Sequence, residues 1–178
     1  MLKEKRKLIL LIISIILTLI IGVWLELDYR ILTRRTVKYF ADYKLGFYGG
    51  KDFRIFETDI AIILILIPIG FYFTTRKVIS IKQKFLLYLS YLILIPAFYC
   101  LYCFLESQYI KMTITLPIMD NGILKYHQNN VNYRVILFLT ILSTFVGGII
   151  TKRIINRKSQ QVTAPIAHGR ISVIKTND

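Results

Sequence analysis

The chain has 178 residues, of which 55% are hydrophobic, and its 24 Lys and Arg against 10 Asp and Glu give a formal charge of +14. Its long uncharged apolar stretches exclude an ordinary water-soluble core. The basic residues gather at the ends of those stretches, where they meet membrane headgroups, which excludes nucleic acid as the partner.

In chain order, the basic start Met1-Leu2-Lys3-Glu4-Lys5-Arg6-Lys7 leads into Leu8–Leu25, a run without a single charge. The exit Gly22-Val23-Trp24-Leu25-Glu26 lacks a small-x-small cleavage pattern, so an uncleaved signal anchor is expected. Beyond it, Leu25, Tyr29, Leu32, Thr36, Tyr39 and Tyr43 recur at helical spacing, with Arg30, Arg34, Arg35 and Lys38 on other faces. That pattern predicts a separate amphipathic helix on the membrane surface. Gly46-Phe47-Tyr48-Gly49-Gly50 breaks it, and Phe53, Ile55 and Phe56 lead back towards the bilayer.

Three further apolar stretches follow: Ile60–Thr75, Phe85–Leu105 and the uncharged run between Arg134 and Lys152. A hydrocarbon layer about 30 Å thick takes roughly 20 helical residues to cross, so Ile60–Thr75 is the short one, with a buried or re-entrant segment as its alternative reading. Between the last two, Met112–Ile118 is β-prone and Asp120-Asn121-Gly122 is a turn signal, which predicts a short hairpin. The predicted fold is an all-α membrane protein. It is a four-transmembrane-helix bundle in one domain over residues 1–158, with spans at about 8–25, 60–75, 85–105 and 135–151. Residues 159–178, polar with Pro165 and Gly169, read as a flexible cytoplasmic tail.

Orientation follows from basic density beside the spans. The N-terminus, the acid-free Thr74–Lys84 connection and the tail hold 14 of the 24 basic residues and 2 of the 10 acids. The loops Glu26–Asp59 and Glu106–Arg134 hold the remaining 10 basic residues and 8 acids. The expected protein therefore lies in a bacterial inner membrane with both termini in the cytoplasm and two outer loops.

Candidate chemistry is sparse. Cys100-Leu101-Tyr102-Cys103 is a CxxC pair near the outer end of the third span, at the C-terminal end of its helix, where the dipole opposes a thiolate. Small apolar filler is the favoured reading, with a membrane thiol redox protein the disfavoured one. His127 and His168 lie outside the spans and have few acids nearby, so no metal or cofactor site is expected. No catalytic constellation is evident, and no ionisable residue stands in the central part of a span to mark an ion path. The third span does carry a polar stripe of Tyr88, Tyr91, Tyr99, Tyr102 and Glu106 at three- and four-residue steps around Ile95. Its hydroxyls need partners, so the stripe faces the bundle or another protein. Pro68 and Pro96 are tolerated in spans when neighbours satisfy the freed carbonyls, and Gly147-Gly148 permits close helix approach.

This layout of four spans, cytoplasmic ends, two outer loops and a short basic inner connection resembles the immunity proteins that protect producers of pore-forming colicins, of the type that guards against colicins A and B. The likeness covers residues from about 8 to 155, with Tyr102-Cys103-Phe104 followed by an acid and, later, Pro117 and Asn121. Ile114-Thr115-Leu116-Pro117 stands where the family carries Leu-Thr-Thr-Ala-Gly, and the tail beyond Arg157 is longer, so no individual functional residue carries over. The resemblance implies a blocker that engages a toxin's channel domain in the lipid bilayer and does not turn over, rather than an enzyme. The alternative is a small membrane subunit or oligomeric pore, a homo-oligomer included, working with a cytoplasmic partner.

The charge asymmetry predicts that alkaline phosphatase fused after Gly49 or Asn121 is active and fused after Ser80 or Lys158 is inactive. An active fusion at Ser80 or Lys158 inverts or breaks the topology.

Overall fold

The computed structural model describes residues 2–42, 44–49, 58–75, 80–113, 119–120 and 123–163. Its first element, α1 (Leu2–Phe40), is one unbroken helix of 39 residues, about 58 Å long. It absorbs both the first apolar stretch and the segment expected to form a separate surface helix, which corrects that expectation. No Gly or Pro stands between Gly22 and Gly46, and the Leu, Glu, Arg and Lys residues there favour continued helix. The end comes at Asp42, whose φ of 56° is the left-handed position that closes helices. There the Asp42 N–H donates to the Tyr39 carbonyl at 3.1 Å, and the Lys44 N–H to that of Ala41 at 3.2 Å.

The face that α1 buries within the molecule lies one step round from the apolar face expected to meet the membrane surface. Glu26, Thr33, Val37 and Ala41 are buried, whereas Leu25, Leu32 and Tyr39 are exposed. Tyr43 lies outside the described residues.

After β1 (Leu45–Tyr48), the second apolar stretch forms two helices, α2 (Asp59–Leu64) and α3 (Leu66–Thr75), rather than one. Pro68 lacks the N–H that would bond the Leu64 carbonyl, and the Ile69 N–H reaches the Ile65 carbonyl only at 3.5 Å. Phe53, Ile55 and Phe56 lie outside the described residues. The third stretch lengthens into α4 (Ile81–Thr113), which accommodates Pro96 internally. The fourth becomes α5 (Tyr133–Thr163), which continues past Lys158 into the segment expected to be tail. By length and composition, three helices are able to cross a membrane, those built on α1, α4 and α5, and Asp59–Thr75 is a shorter apolar unit.

A three-stranded sheet joins the two loops. β2 (Met119–Asp120) pairs antiparallel with β3 (Ile123–His127), Asp120 opposite Ile123, consistent with the hairpin read from sequence. The turn residues Asn121 and Gly122 and the β-prone residues 114–118 lie outside the described residues, and Met112 and Thr113 end α4 instead. β3 is also the central strand. It pairs in parallel with β1, from Leu45↔Leu124 to Tyr48↔His127, and the Leu124 N–H donates to the Lys44 carbonyl at 2.7 Å. Parallel strands need a long crossover, and here α2, α3 and α4 supply it.

The helices are tied at two levels. At one, Asp59 pairs with Arg134, and the Glu106 carboxylate meets Asn132. At the other, the Lys152 ammonium donates to the Thr74 carbonyl at 2.6 Å. α2 and α3 therefore run alongside α5, and the segment from Asp59 to Thr75 measures about 25 Å. Between the levels the helices touch through glycines. A Cβ on Gly22 would lie 2.8 Å from the Ala61 Cα, and Gly70 is pressed against the Phe145 ring. Gly147 packs on Leu94 and Gly148 on the Tyr91 ring, so the Gly-Gly pair does serve close approach.

The main core, with Val37, Ala41, Leu45, Ile60, Cys103 and Ile110 among its members, sits at the sheet end. A smaller cluster of Leu87 and Tyr91, backed by Phe71 and Phe145, holds the other end. The N-terminal half of α1 is bare: only 6% of its most apolar window is buried.

Gly22→Leu is expected to destabilise the protein by about 1–3 kcal/mol, since the obstacle is Ala61 backbone and cannot rotate away. Denaturant titration in mixed micelles measures it. An unchanged midpoint would show that α1 and α2 do not cross there.

Candidate functional site

The five stripe residues lie along α4 and mark a polar seam through the molecule. From the end nearest Lys152, the Tyr88 ring stacks on Phe71, with centroids 5.0 Å apart and planes 7° from parallel. The Tyr91 hydroxyl donates to Thr74 Oγ1 at 2.9 Å, and Thr74 passes its own proton to the Gly70 carbonyl at 2.8 Å. The Tyr99 hydroxyl shares a hydrogen bond with Thr33 Oγ1 at 3.1 Å, and the Tyr102 hydroxyl shares one with Ser143 Oγ at 2.6 Å. Glu106 accepts from the Asn132 backbone N–H at 3.0 Å and from its Nδ2 at 3.2 Å on both carboxylate oxygens. The seam thus meets α3, α1, α5 and the start of α5 in turn, all within the same chain. Of the five, only Tyr88 is exposed.

The Glu106 contact is the strongest of these in kind. Asn132 directly precedes α5, where the first-turn amides have no intrahelical partner and the helix dipole favours an anion. Glu106 is buried, so the charge-assisted bonds act in a medium less polar than water. Around it stands a knot that sequence reasoning misses. The Tyr29 hydroxyl donates to the Tyr133 carbonyl at 2.8 Å, and the Tyr133 hydroxyl to that of Gln128 at 2.9 Å. The Arg30 guanidinium lies 5.2 Å over the Tyr133 ring and binds Glu26 Oε1 at 2.8 Å through Nη2. One usable signal is Glu26 with Arg30, an acid four residues before a base, the spacing of a helical ion pair.

Beside the knot, burial and then the Glu106 charge push the Tyr126 hydroxyl up, so it remains a neutral donor, here to the Asn130 carbonyl at 3.3 Å. Of the remaining candidates, Cys100 is exposed and Cys103 buried, both as free thiols. His127 sits in β3, where its Nδ1 accepts from the Asn129 N–H at 3.3 Å and its ring abuts Gly49. Among the described residues no group of three His, Cys, Asp or Glu is placed to hold a metal ion. His168 lies outside the described residues.

Among the described residues, two exposed surfaces adjoin each other at the sheet end. A cleft of about 560 Å³ lies between the ends of α1 and α4, lined by Tyr39, Phe40, Asp42, Phe104, Gln108 and Lys111. Its rim carries both signs of charge, Asp42 standing 3.9 Å from Lys111. Leading into it along α1 is the exposed stripe Leu25, Leu32 and Tyr39, at seven-residue spacing, flanked by exposed Asp28 and Arg35.

Glu106→Ala is expected to cost about 1–3 kcal/mol of stability, because three hydrogen bonds disappear and the Asn132 amide loses its acceptor. Glu106→Gln should recover part of it. Thermal unfolding in detergent reads both, and an Ala variant as stable as the parent would remove the carboxylate from its structural role.

No family model, no curated protein and no solved structure matches the chain.

Proposed function

We propose that the chain is a four-span protein of a bacterial inner membrane, with both termini cytoplasmic, that binds the channel domain of a pore-forming bacteriocin and blocks it one molecule for one. The layout resemblance suggests the toxin, and the open surfaces suggest how it is held. Four spans are supported by the two levels of cross-links. Asp59 and Thr74 bracket α2 and α3 at the same heights at which Arg134 and Lys152 bracket α5. Their separation of about 25 Å approaches the hydrocarbon thickness of about 30 Å.

The observation that carries the binding reading is the stripe Leu25, Leu32 and Tyr39, which continues the bare apolar half of α1 out of the membrane and into the α1–α4 cleft. An inserted toxin helix has no hydrophobic gain from leaving lipid, so it must be held by shape and small polar contacts. A seven-residue seam suits packing of one helix on another. Asp28, Arg35, Asp42 and Lys111 around it supply the mixed charges that select one partner over its relatives.

Expressed alone in a sensitive bacterium, the protein should protect against one pore-forming toxin in proportion to its dose and leave unrelated toxins lethal. Leu32→Glu should abolish protection at unchanged protein level, because the site is exposed and the fold does not depend on it. Membrane potential after toxin addition is the readout. Unchanged depolarisation across a panel that includes the toxin encoded beside this gene would favour the membrane-subunit alternative. Full protection by Leu32→Glu would move the contact elsewhere.

A further inference from the structure

The C-terminal part of α1 presents two parallel lines of exposed side chains. One is the apolar seam Leu25, Leu32 and Tyr39, and the other is Asp28, Arg35 and, just past the helix end, Asp42. Both repeat every seven residues, so successive members of a line stand about 10.5 Å apart and drift only about 20° round the helix. The charges alternate along their line: acid, base, acid. At the last level Asp42 lies 3.9 Å from Lys111, but its side chain is 80% exposed against 33%, so the carboxylate is the outward group. Lys38, three residues after Arg35 and half-buried, reinforces the positive middle.

What covers this face follows from where it stands. Leu25 to Tyr39 takes up about 21 Å of helix beyond the uncharged stretch. A headgroup layer is only about 5–8 Å deep, so lipid reaches no further than the base of the seam. A second copy is opposed by register. Copies that span one membrane stand at equal heights, which sets Asp28 level with Asp28 and Arg35 level with Arg35 whatever the symmetry of the pair. A slip of seven residues would turn these repulsions into attractions, but it would lift one copy about 10.5 Å through the bilayer. The face therefore resists its own kind and suits a different chain.

We propose that this face binds a partner helix that carries a base, an acid and a base at seven-residue steps beside its own apolar seam. All three levels then meet in opposite sign. The order reads the same from either end, so the partner helix can run in either direction. Exposed pairs of this kind add little affinity but separate one partner from another. The inference rests on the seam being the partner surface, and it names what that partner carries.

Three synthetic helical peptides without tryptophan test it, alike except at the three charged positions, which read Lys-Glu-Lys, Lys-Lys-Glu or Lys-Lys-Lys. Each is titrated into the full-length protein in nanodiscs of zwitterionic lipid. The readout is the emission of Trp24, the chain's single tryptophan, 67% exposed at the foot of the charged line. Lys-Glu-Lys should bind about tenfold more tightly than Lys-Lys-Glu, which has the same net charge but two mismatched levels. Arg35→Glu, with its thermal midpoint unchanged, should bind Lys-Lys-Lys in preference to Lys-Glu-Lys by a similar factor. Equal affinity for Lys-Glu-Lys and Lys-Lys-Glu, or no binding of either, overturns the proposal, as does an Arg35→Glu variant that still prefers Lys-Glu-Lys. Disulfide cross-linking of Leu32→Cys between copies in native membranes, in a Cys100→Ala background, would seat a second copy on the face and also overturn it. Protection abolished by Leu32→Glu without peptide discrimination would sink the charge pattern alone. Peptide discrimination in a protein that protects against no toxin would sink the bacteriocin reading alone.

Discussion

At the junction of α4 and α5 the carboxylate of Glu106 meets the amide of Asn132 at the head of α5, and much of the sheet end is arranged around that contact. The opening amides of a helix have no partner within it, and away from water their desolvation is costly. A buried anion supplied by the neighbouring helix removes that cost and, being placed by α4, also sets where α5 begins. Tyr133 is then fixed as the first residue of α5, with its carbonyl at the Tyr29 hydroxyl and its ring under Arg30. α1 is thus held to the junction by the adjacent side chains Tyr29 and Arg30, and Arg30 is in turn paired with Glu26 one turn back on α1.

The parallel pairing of β1 with β3 completes this end from above. It converts two loops that are distant in sequence into one cap, whose Leu45 joins the core of Val37, Ala41, Ile110 and Val131. The other end is built differently. Its ties are a lysine on a helix-terminal carbonyl, a tyrosine on a threonine, and rings lying on glycines. Those contacts position helices closely but enclose only a small cluster. Apolar side chains gain nothing from leaving hydrocarbon for a protein interior, so a helix such as α1 can stay bare at this level without penalty if lipid surrounds it.

This division bears on function. An end with an open cleft and a seam of exposed apolar residues offers a defined surface, while the bare half of α1 offers an apolar helix face. The stripe of tyrosines along α4 belongs to neither surface for most of its length, because its polar groups are engaged with α1, α3 and α5. Its chemistry is that of registration: hydroxyl pairs define which turn of one helix meets which turn of the next, something that methyl-on-methyl packing specifies weakly.

The sequence by itself determined the helical class, the positions of the apolar segments, the polar seam on α4 and a turn near Asn121, though not the first strand of that hairpin, which is expected at Met112–Ile118 and stands at Met119–Asp120. These depend on local properties: hydropathy over a window, side-chain spacing on one helix, and a turn signal between two short strands. It misleads at α1, because polarity changes at Leu25–Glu26 while helix propensity does not. It also hides the break at Ile65, since hydropathy does not register the N–H that Pro68 lacks. Only the tertiary structure decided that Leu25, Leu32 and Tyr39 stay outside while Glu26, Thr33 and Val37 turn in. The same holds for the pairing of β1 with β3 and for the meeting of Glu106 with Asn132. Each of these joins residues far apart in the chain, and their partners are selected by the crossing geometry of whole helices, to which spacing along one segment carries no reference.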